Sequence, residues 1–324
     1  MESKYHGRDF VTTQDWSTTE IEELIELARQ LKLGRKMGVG NRVLDGKTLY
    51  MIFFDNSTRT RNSFETGMTQ LGGHAVFLSP DKMQISHGEN AKDTANVLSR
   101  YGEAIAIRHC AFREGNPYLR EVAAHATVPV INMQCDVYHP CQILADYMTI
   151  REHKGYGRKL KLGVAWTSAP NYVRPLSVPQ SLILMMPRFG IDVTLAYPEE
   201  FRLMPEIEEQ ARRNAAEGGA RFEISHRFED AFEGADIVIP KSWGPLMHTQ
   251  DKAKGLEAIA RHPTWCCDAE RMKLGQSDLI YMHPLPADRG REVTDEVIDG
   301  AQSVVYDEAE NRLHVQKALM ALVM

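Results

Sequence analysis

The chain has 324 residues, 43% hydrophobic and 25% charged, which is apolar material for two cores at the usual ~150 residues per domain. A formal net charge of −6 and a pI near 6.1 exclude nucleic acid as the main partner, because a phosphate backbone needs a basic face. A small anionic ligand stays open, since a few local arginines can dominate one cleft.

Residues 1–14 are polar and mixed in charge, with no apolar targeting core, and no run approaches the roughly 20 apolar residues of a membrane span. In the first half, strands are expected over residues 48–54, 74–78, 104–107 and 128–133. Helices fill the gaps, as over 61–71, where Phe64, Met68 and Leu71 share one face. A charged, glycine-containing stretch at 151–161 (REHKGYGRKLK) is the expected domain boundary. The second half repeats the scheme, with strands over 160–166, 192–197, 221–225, 236–240 and 279–283. Strands alternating with helices predict an α/β fold of two doubly wound, parallel-sheet domains. Their expected extents are 1–150 and 151–308, with a final helix over 309–324 long enough to cross back onto the first domain. The five cysteines (Cys110, Cys135, Cys141, Cys266, Cys267) are odd in number and form no C-x-x-C pair. They fit neither a disulfide nor a zinc framework and point to a reducing cytoplasm. No Cys/His cluster has ligand spacing, so no metal and no cofactor is expected.

Ligands of parallel sheets sit beyond the carboxyl ends of the strands, and three loops there stand out. The first is Asp55-Asn56-Ser57-Thr58-Arg59-Thr60-Arg61. Ser57 suits an N-cap, the first-turn amides make an anion site, and Arg59 adds a planar fork suited to phosphate. The plain alternative is a capped helix with solvated arginines. Neither G-x-x-x-x-G-K-[ST] nor G-x-G-x-x-G follows a strand, so the anion is expected to be small. The second loop, His139-Pro140-Cys141-Gln142, sets an imidazole and an amide three residues apart where both can face one carbonyl oxygen; the alternative for His139 is capping or packing. Cys141 has no thiolate-stabilising pattern around it and is not expected to be a nucleophile. The third loop, residues 283–290 (HPLPADRG), has two prolines that hold backbone carbonyls in place for a ligand's N–H donors, or simply make a turn.

Together these loops resemble the transcarbamylase family, over nearly the whole chain. The S-T-R-T-R run is highly specific, H-P-x-Q supports it, and H-P-L-P with residues 307–312 (DEAENR) completes the set. The resemblance implies carbamoyl phosphate as one substrate and the amine of a small carboxylated acceptor as the other. It implies that Ser57, Thr58, Arg59 and Thr60 cradle phosphate, and that Arg108 reaches phosphate and carbonyl oxygens. His139 and Gln142 would touch the carbonyl and amino groups, Arg312 would arrive from the last helix, and carbonyls around Pro284 and Leu285 would take the carbamoyl N–H groups. Thr60, Arg108 and His139 would stabilise the tetrahedral oxyanion, each such donor being worth ~3 kcal/mol. Gln84 matches the residue that relatives insert into a neighbouring subunit's site, implying a homotrimer with shared sites; Lys82, near the lysine of the aspartate branch, matches less well.

The acceptor departs from the familiar pattern. Ornithine transcarbamylases are similar in carrying an Asp followed shortly by Ser-Met-Gly, where this chain reads Pro240-Lys241-Ser242-Trp243-Gly244. Their His-Cys-Leu-Pro is here His283-Pro284-Leu285-Pro286. Lys-Ser-Trp and the proline-rich stretch 165–179 resemble the knotted branch, which includes acetylornithine and succinylornithine transcarbamylases; there a second-domain loop threads the chain. Exchanging Asp for Lys inverts the local charge, so a free ammonium loses a partner and a carboxylate gains one. Lys241, Trp243, Arg174 and Arg289 are the candidate acceptor contacts. Two readings stand beside this one: an ornithine transcarbamylase making citrulline, favoured by the run 289–324, and a non-catalytic binding protein on the same fold.

Overall fold

The computed structural model describes residues 3–324, which divide into two compact units. The first runs to Ala145 and takes back Glu310–Met324; the second is Asp146–Ala309.

The first unit opens with α1 (Thr18–Lys36). Ser17 Oγ accepts from the Glu20 N–H and the Glu20 carboxylate from the Ser17 N–H, so the helix starts on a reciprocal capping box. Ile21, Leu24, Ile25, Ala28 and Leu31 form its buried stripe. Then follow β1 (Thr48–Phe53), α2 (Arg59–Gln70), β2 (His74–Leu78), α3 (Ala91–Leu98), β3 (Ala104–His109), α4 (Gly115–His125), β4 (Val130–Cys135) and the start of α5 (Pro140–Lys154). The four strands are parallel in the order β2-β1-β3-β4. Ile52, Ile105, Ile107 and Val130 fill a fully buried core with Ala91, Ala95, Leu119 and Val122 of the covering helices. The order reverses between β1 and β3, so the crevice beyond those two carboxyl ends is where the topology leaves room for a ligand.

The second unit comprises β5 (Lys161–Trp166), α6 (Ser177–Met185), β6 (Asp192–Ala196), α7 (Pro205–Gly218), β7 (Phe222–Ser225), β8 (Ile237–Lys241), α8 (Lys252–Ala260), α9 (Ala269–Met272), β9 (Ile280–Tyr281), α10 (Asp295–Ile298) and the start of α11 (Val305–Val323). Its sheet is parallel, ordered β7-β6-β5-β8-β9, and reverses between β5 and β8, where Trp166 stands opposite Lys241. The two doubly wound parallel sheets expected from the alternation are therefore present. Several ends moved. Strand β4 begins at Val130 rather than 128 and reaches Cys135; β9 shrinks to two residues; α11 starts at Val305 instead of 309. Such ends depend on hydrogen-bond partners in other segments.

Two close approaches shape the working regions. In the first unit, a Cβ on Gly67 of α2 would come 2.8 Å from Met320 Cε and 3.3 Å from Lys317 Cγ, so α11 lies tight against α2. Lys317 Nζ also donates to Gln70 Oε1 at 2.9 Å. In the second unit, a Cβ on Gly244 would fall 2.0 Å from the Tyr172 carbonyl oxygen, while the Gly244 N–H donates to the Arg174 carbonyl at 3.0 Å. Trp166 Nε1 donates to the Trp243 carbonyl at 2.9 Å, fastening the end of β5 to the segment after β8. No helix among the described residues is long and apolar enough to cross a membrane.

Candidate active site

The segment 55–60 leaves β1 and enters α2. The helix begins at Arg59, its formal cap residue Thr58 makes no side-chain cap, and Ser57 Oγ instead accepts the Thr60 N–H at 3.2 Å. The capping hydroxyl is thus the one expected, one position outside the formal boundary. Thr60 is buried, Ser57 and Arg59 half-buried, and Thr58 exposed. Arg312, far along α11, donates through one guanidinium nitrogen to Thr60 Oγ1 at 2.7 Å and through the other to Gln142 Oε1 at 2.5 Å. Thr60, Gln142 and Arg312 are 2%, 1% and 3% exposed, so these charge-assisted bonds form out of water, where they are strongest.

Arg108 belongs to β3 itself rather than following it, and a register shift explains its aim. Ile107 stands opposite Asn132 but Arg108 opposite Gln134, one residue of β4 being skipped. Bulges of this kind re-aim side chains beside sites. Arg108 donates to Gln134 Oε1, and its Nε is buried without a hydrogen-bond partner. His139, just ahead of α5, is buried. Burial first, then the charges of Arg312, Arg108 and Arg59, hold its pKa well below the ordinary 6.5. The imidazole is therefore neutral at physiological pH and offers a hydrogen bond without a charge. Arg59, Thr60, Arg108, His139, Gln142 and Arg312 thus form one basic, largely desolvated cluster beyond β1 and β3, suited to a small dianion carrying a carbonyl group. Gln84 is exposed in a short turn at Gln84–His87.

Cysteine chemistry is absent from this cluster. Cys141 is fully buried, its Sγ lies 3.6 Å from the Asn132 carbonyl, and burial pushes its pKa up to about 12. Cys135 is pushed up to about 11 for the same reason.

In the second unit, Lys241 and Arg174 converge on a fully buried carboxylate, Glu292. Lys241 Nζ lies 3.5 Å and Arg174 Nη1 3.3 Å from it, and Arg174 also pairs with Asp288. Burial lowers the Lys241 pKa and Glu292 opposes that; burial raises the Glu292 pKa, but Lys241, His283 and Arg174 outweigh it and keep the carboxylate ionised. Both cations are already matched by anions. Pro284 is buried, and Leu285 takes a positive φ of 52°, uncommon for a residue with a side chain. Its N–H donates to His283 Nδ1 at 2.9 Å. Trp243 is 1% exposed, donating Nε1 to the Phe201 carbonyl at 2.7 Å, so its ring belongs to the core of this unit. Arg289 is directed elsewhere, onto Asp295 at 2.5 Å and Asp299 at 2.6 Å on the surface. Among the described residues no three His, Cys, Asp or Glu side chains stand together as a metal-ligand set.

Sequence reasoning missed Gln134 and Glu292. Gln134 carried a usable signal, a polar residue near the carboxyl end of a buried strand. Glu292 carried none, being one acid in a charged stretch.

Known proteins resemble the chain over its full length. Residues 8–152 match the family model described as aspartate/ornithine carbamoyltransferase, carbamoyl-P binding domain, and residues 175–323 match its Asp/Orn binding domain. The chain is 41% identical over 324 residues to an ornithine carbamoyltransferase of Carboxydothermus hydrogenoformans, covering 100% of each. It is 42% identical over 318 residues to the anabolic ornithine carbamoyltransferase of Pyrococcus furiosus, covering 98% of this chain and 96% of that one. Among solved structures, the Pyrococcus furiosus ornithine carbamoyltransferase superposes with a TM-score of 0.90 at 41% identity over 100% and 99% of the chains. An acetylornithine transcarbamylase complexed with acetylcitrulline also gives 0.90, at 35% identity over 98% and 99%.

Proposed function

The chain belongs to the aspartate/ornithine carbamoyltransferase family and is a carbamoyltransferase, and from that premise we propose that it moves the carbamoyl group of carbamoyl phosphate to the amine of a small carboxylated acceptor other than free ornithine. The observation that carries the reaction is the buried fork of Arg312 on Thr60 and Gln142, beside a neutral His139. Phosphate rests on the start of α2, with Ser57, Thr58, Arg59 and Thr60 around it. The acceptor's neutral amine attacks the carbamoyl carbon, its lone pair forming the C–N bond. Thr60, Arg108 and His139 donate to the developing oxyanion, Gln142 and the Pro284 and Leu285 carbonyls orient the amide end, and the C–O bond breaks as phosphate leaves with the electron pair and takes up the proton that the attacking nitrogen gives up. Holding two small molecules in line supplies much of the rate.

The acceptor half rests on Lys241. With Lys241 and Arg174 already balanced by Glu292 and Asp288, an added ammonium finds no uncommitted anion in this cluster, which favours an acceptor whose second nitrogen carries no charge. A second reading, free ornithine, is favoured by the 41% and 42% identity to proteins named ornithine carbamoyltransferase. Turnover with ornithine, N-acetyl-L-ornithine, N-succinyl-L-ornithine, diaminopropionate and oxamate separates the two: ornithine as the fastest acceptor replaces the first reading. Calorimetric titration with carbamoyl phosphate tests the donor half, where Arg59→Ala is expected to bind about ten- to a hundredfold more weakly, the range of one charge-assisted hydrogen bond. Unchanged binding removes Arg59 from the site.

The same reading extends to assembly and setting. The active form is a homotrimer in which Gln84 completes a neighbour's site, and the loop after β5 threads the chain as in the knotted branch, supported by its tight contact at Gly244. Five free cysteines support a cytoplasmic setting.

A further inference from the structure

Glu292 is 0% exposed and lies on no helix or strand, yet it collects donors from three separate segments. Its Oε1 accepts from the Ser242 N–H at 2.7 Å and the Ser242 hydroxyl at 2.6 Å, with Lys241 Nζ at 3.5 Å and His283 Nε2 at 3.3 Å. Its Oε2 accepts from the Asp288 N–H at 2.8 Å and from Arg174 at 3.3 Å. The Leu285 N–H donates to His283 Nδ1, so the neutral ring carries its proton on Nε2, which stands 3.3 Å from Glu292 Oε1 without completing a hydrogen bond to it. One side chain thus joins the end of β8, the loop 283–288 and the proline-rich loop carrying Arg174.

We infer that Glu292 is a positioning residue for the acceptor: a single buried carboxylate that sets the place of Lys241, Arg174 and the 283–288 loop together. This rests on the reading above that those segments serve the acceptor. Only a carboxylate fits the position. A glutamine there presents its NH2 either to the Ser242 N–H and the Lys241 ammonium or to the Asp288 N–H and Arg174, donor against donor in both flips. Aspartate is one carbon too short to serve both ends. Two cations packed near one another without Glu292 would also repel, and a buried charge left unpaired is strongly destabilising.

The test is Glu292→Gln in the full chain, with two measurements. Hydrogen exchange is expected to quicken by about tenfold or more at the Ser242 and Asp288 amides, with α2 and the residues of α11 in the first unit unchanged. Unaltered exchange at those two amides overturns the inference. Steady-state kinetics with whichever of ornithine, N-acetyl-L-ornithine and N-succinyl-L-ornithine turns over fastest is expected to show KM for the amine rising about tenfold or more, well beyond any change in the calorimetric Kd for carbamoyl phosphate. An unchanged KM, or equal losses in both constants, overturns it as well. If the wild type uses none of these amines, the acceptor reading has failed, and the exchange measurement still decides the role of Glu292. Should Glu292→Gln not fold, the double variant E292Q/K241M, which removes both members of that buried pair, carries the exchange measurement.

Discussion

At the scale of single residues, the chemistry depends on keeping an imidazole neutral among guanidinium groups. Burial and three arginines hold His139 deprotonated, and in the proposed reaction it donates one hydrogen bond to the carbonyl oxygen, a bond that strengthens as that oxygen becomes an oxyanion. His139→Ala should lower kcat by about a hundredfold while weakening carbamoyl phosphate binding much less, a split that single-turnover kinetics and calorimetry would resolve. The kcat profile should also show no inflection near pH 6.5 that disappears in this variant. Such an inflection would mean the ring titrates normally and lies in a wetter place than its burial implies. Arg312 is different in kind: its two nitrogens serve Thr60 and Gln142 separately, so lysine, with a point charge, cannot replace it.

At the scale of elements, the proposed site depends on two helices lying closer than a large side chain permits. Gly67 allows α11 to press on α2, and that contact delivers Arg312 to Thr60. Gly67→Ala should be tolerated, because the crowding atom is the mobile end of Met320 and alanine gains about 1 kcal/mol of helix propensity. Gly67→Leu should displace α11 and weaken carbamoyl phosphate binding by about tenfold or more, although it touches no ligand contact; calorimetry on the purified variant would show it. Undiminished affinity would mean Arg312 is placed by its own neighbours and not by this packing. The bulge that turns Arg108 makes the same point for a strand: one skipped residue on β4 determines where a guanidinium points on β3.

At the scale of the whole molecule, buried ionisable groups couple stability to pH. His139 and His283 have pKa values below the ordinary 6.5, and burial lowers that of His314 to about 4. The unfolded chain therefore binds protons on these rings that the folded chain refuses. Their contribution is fully present above pH 6.5 and is lost as pH falls from there toward the folded values, at up to about 1.4 kcal/mol per pH unit for each ring. Glu292, held ionised, adds a loss of the same sign below its unfolded value near 4.5. Scanning calorimetry should find Tm steady from pH 7 to 8 and falling steadily from 6.5 to 5; a flat Tm across that acid range would show the rings to be solvated. Assembly has its own test. Arg59→Ala and Gln84→Ala, each slowed alone at low carbamoyl phosphate, should regain activity when unfolded together and refolded as hybrids, since one subunit then offers an intact segment 57–60 and its neighbour an intact Gln84. No recovery would place each site within one subunit.

The α/β plan of two parallel sheets and the place of the segment 57–60 between a strand and a helix were legible in residue order because both are local facts. Helix and strand periods repeat within a few residues, and the hydroxyl, amide and guanidinium groups of Ser57–Thr58–Arg59–Thr60 are adjacent in the chain. The same reading named Arg312 from its motif, but no spacing could show it gripping Thr60 across 252 positions. Charge was least legible. Lys241, Arg174 and Arg289 looked like three cations equally open to an acceptor, but folding pairs the first two with Glu292 and Asp288 and directs the third to Asp295 and Asp299. Whether a charged side chain is available to a ligand depends on its neighbours in space and on the water removed around it, and both are properties of the packed chain.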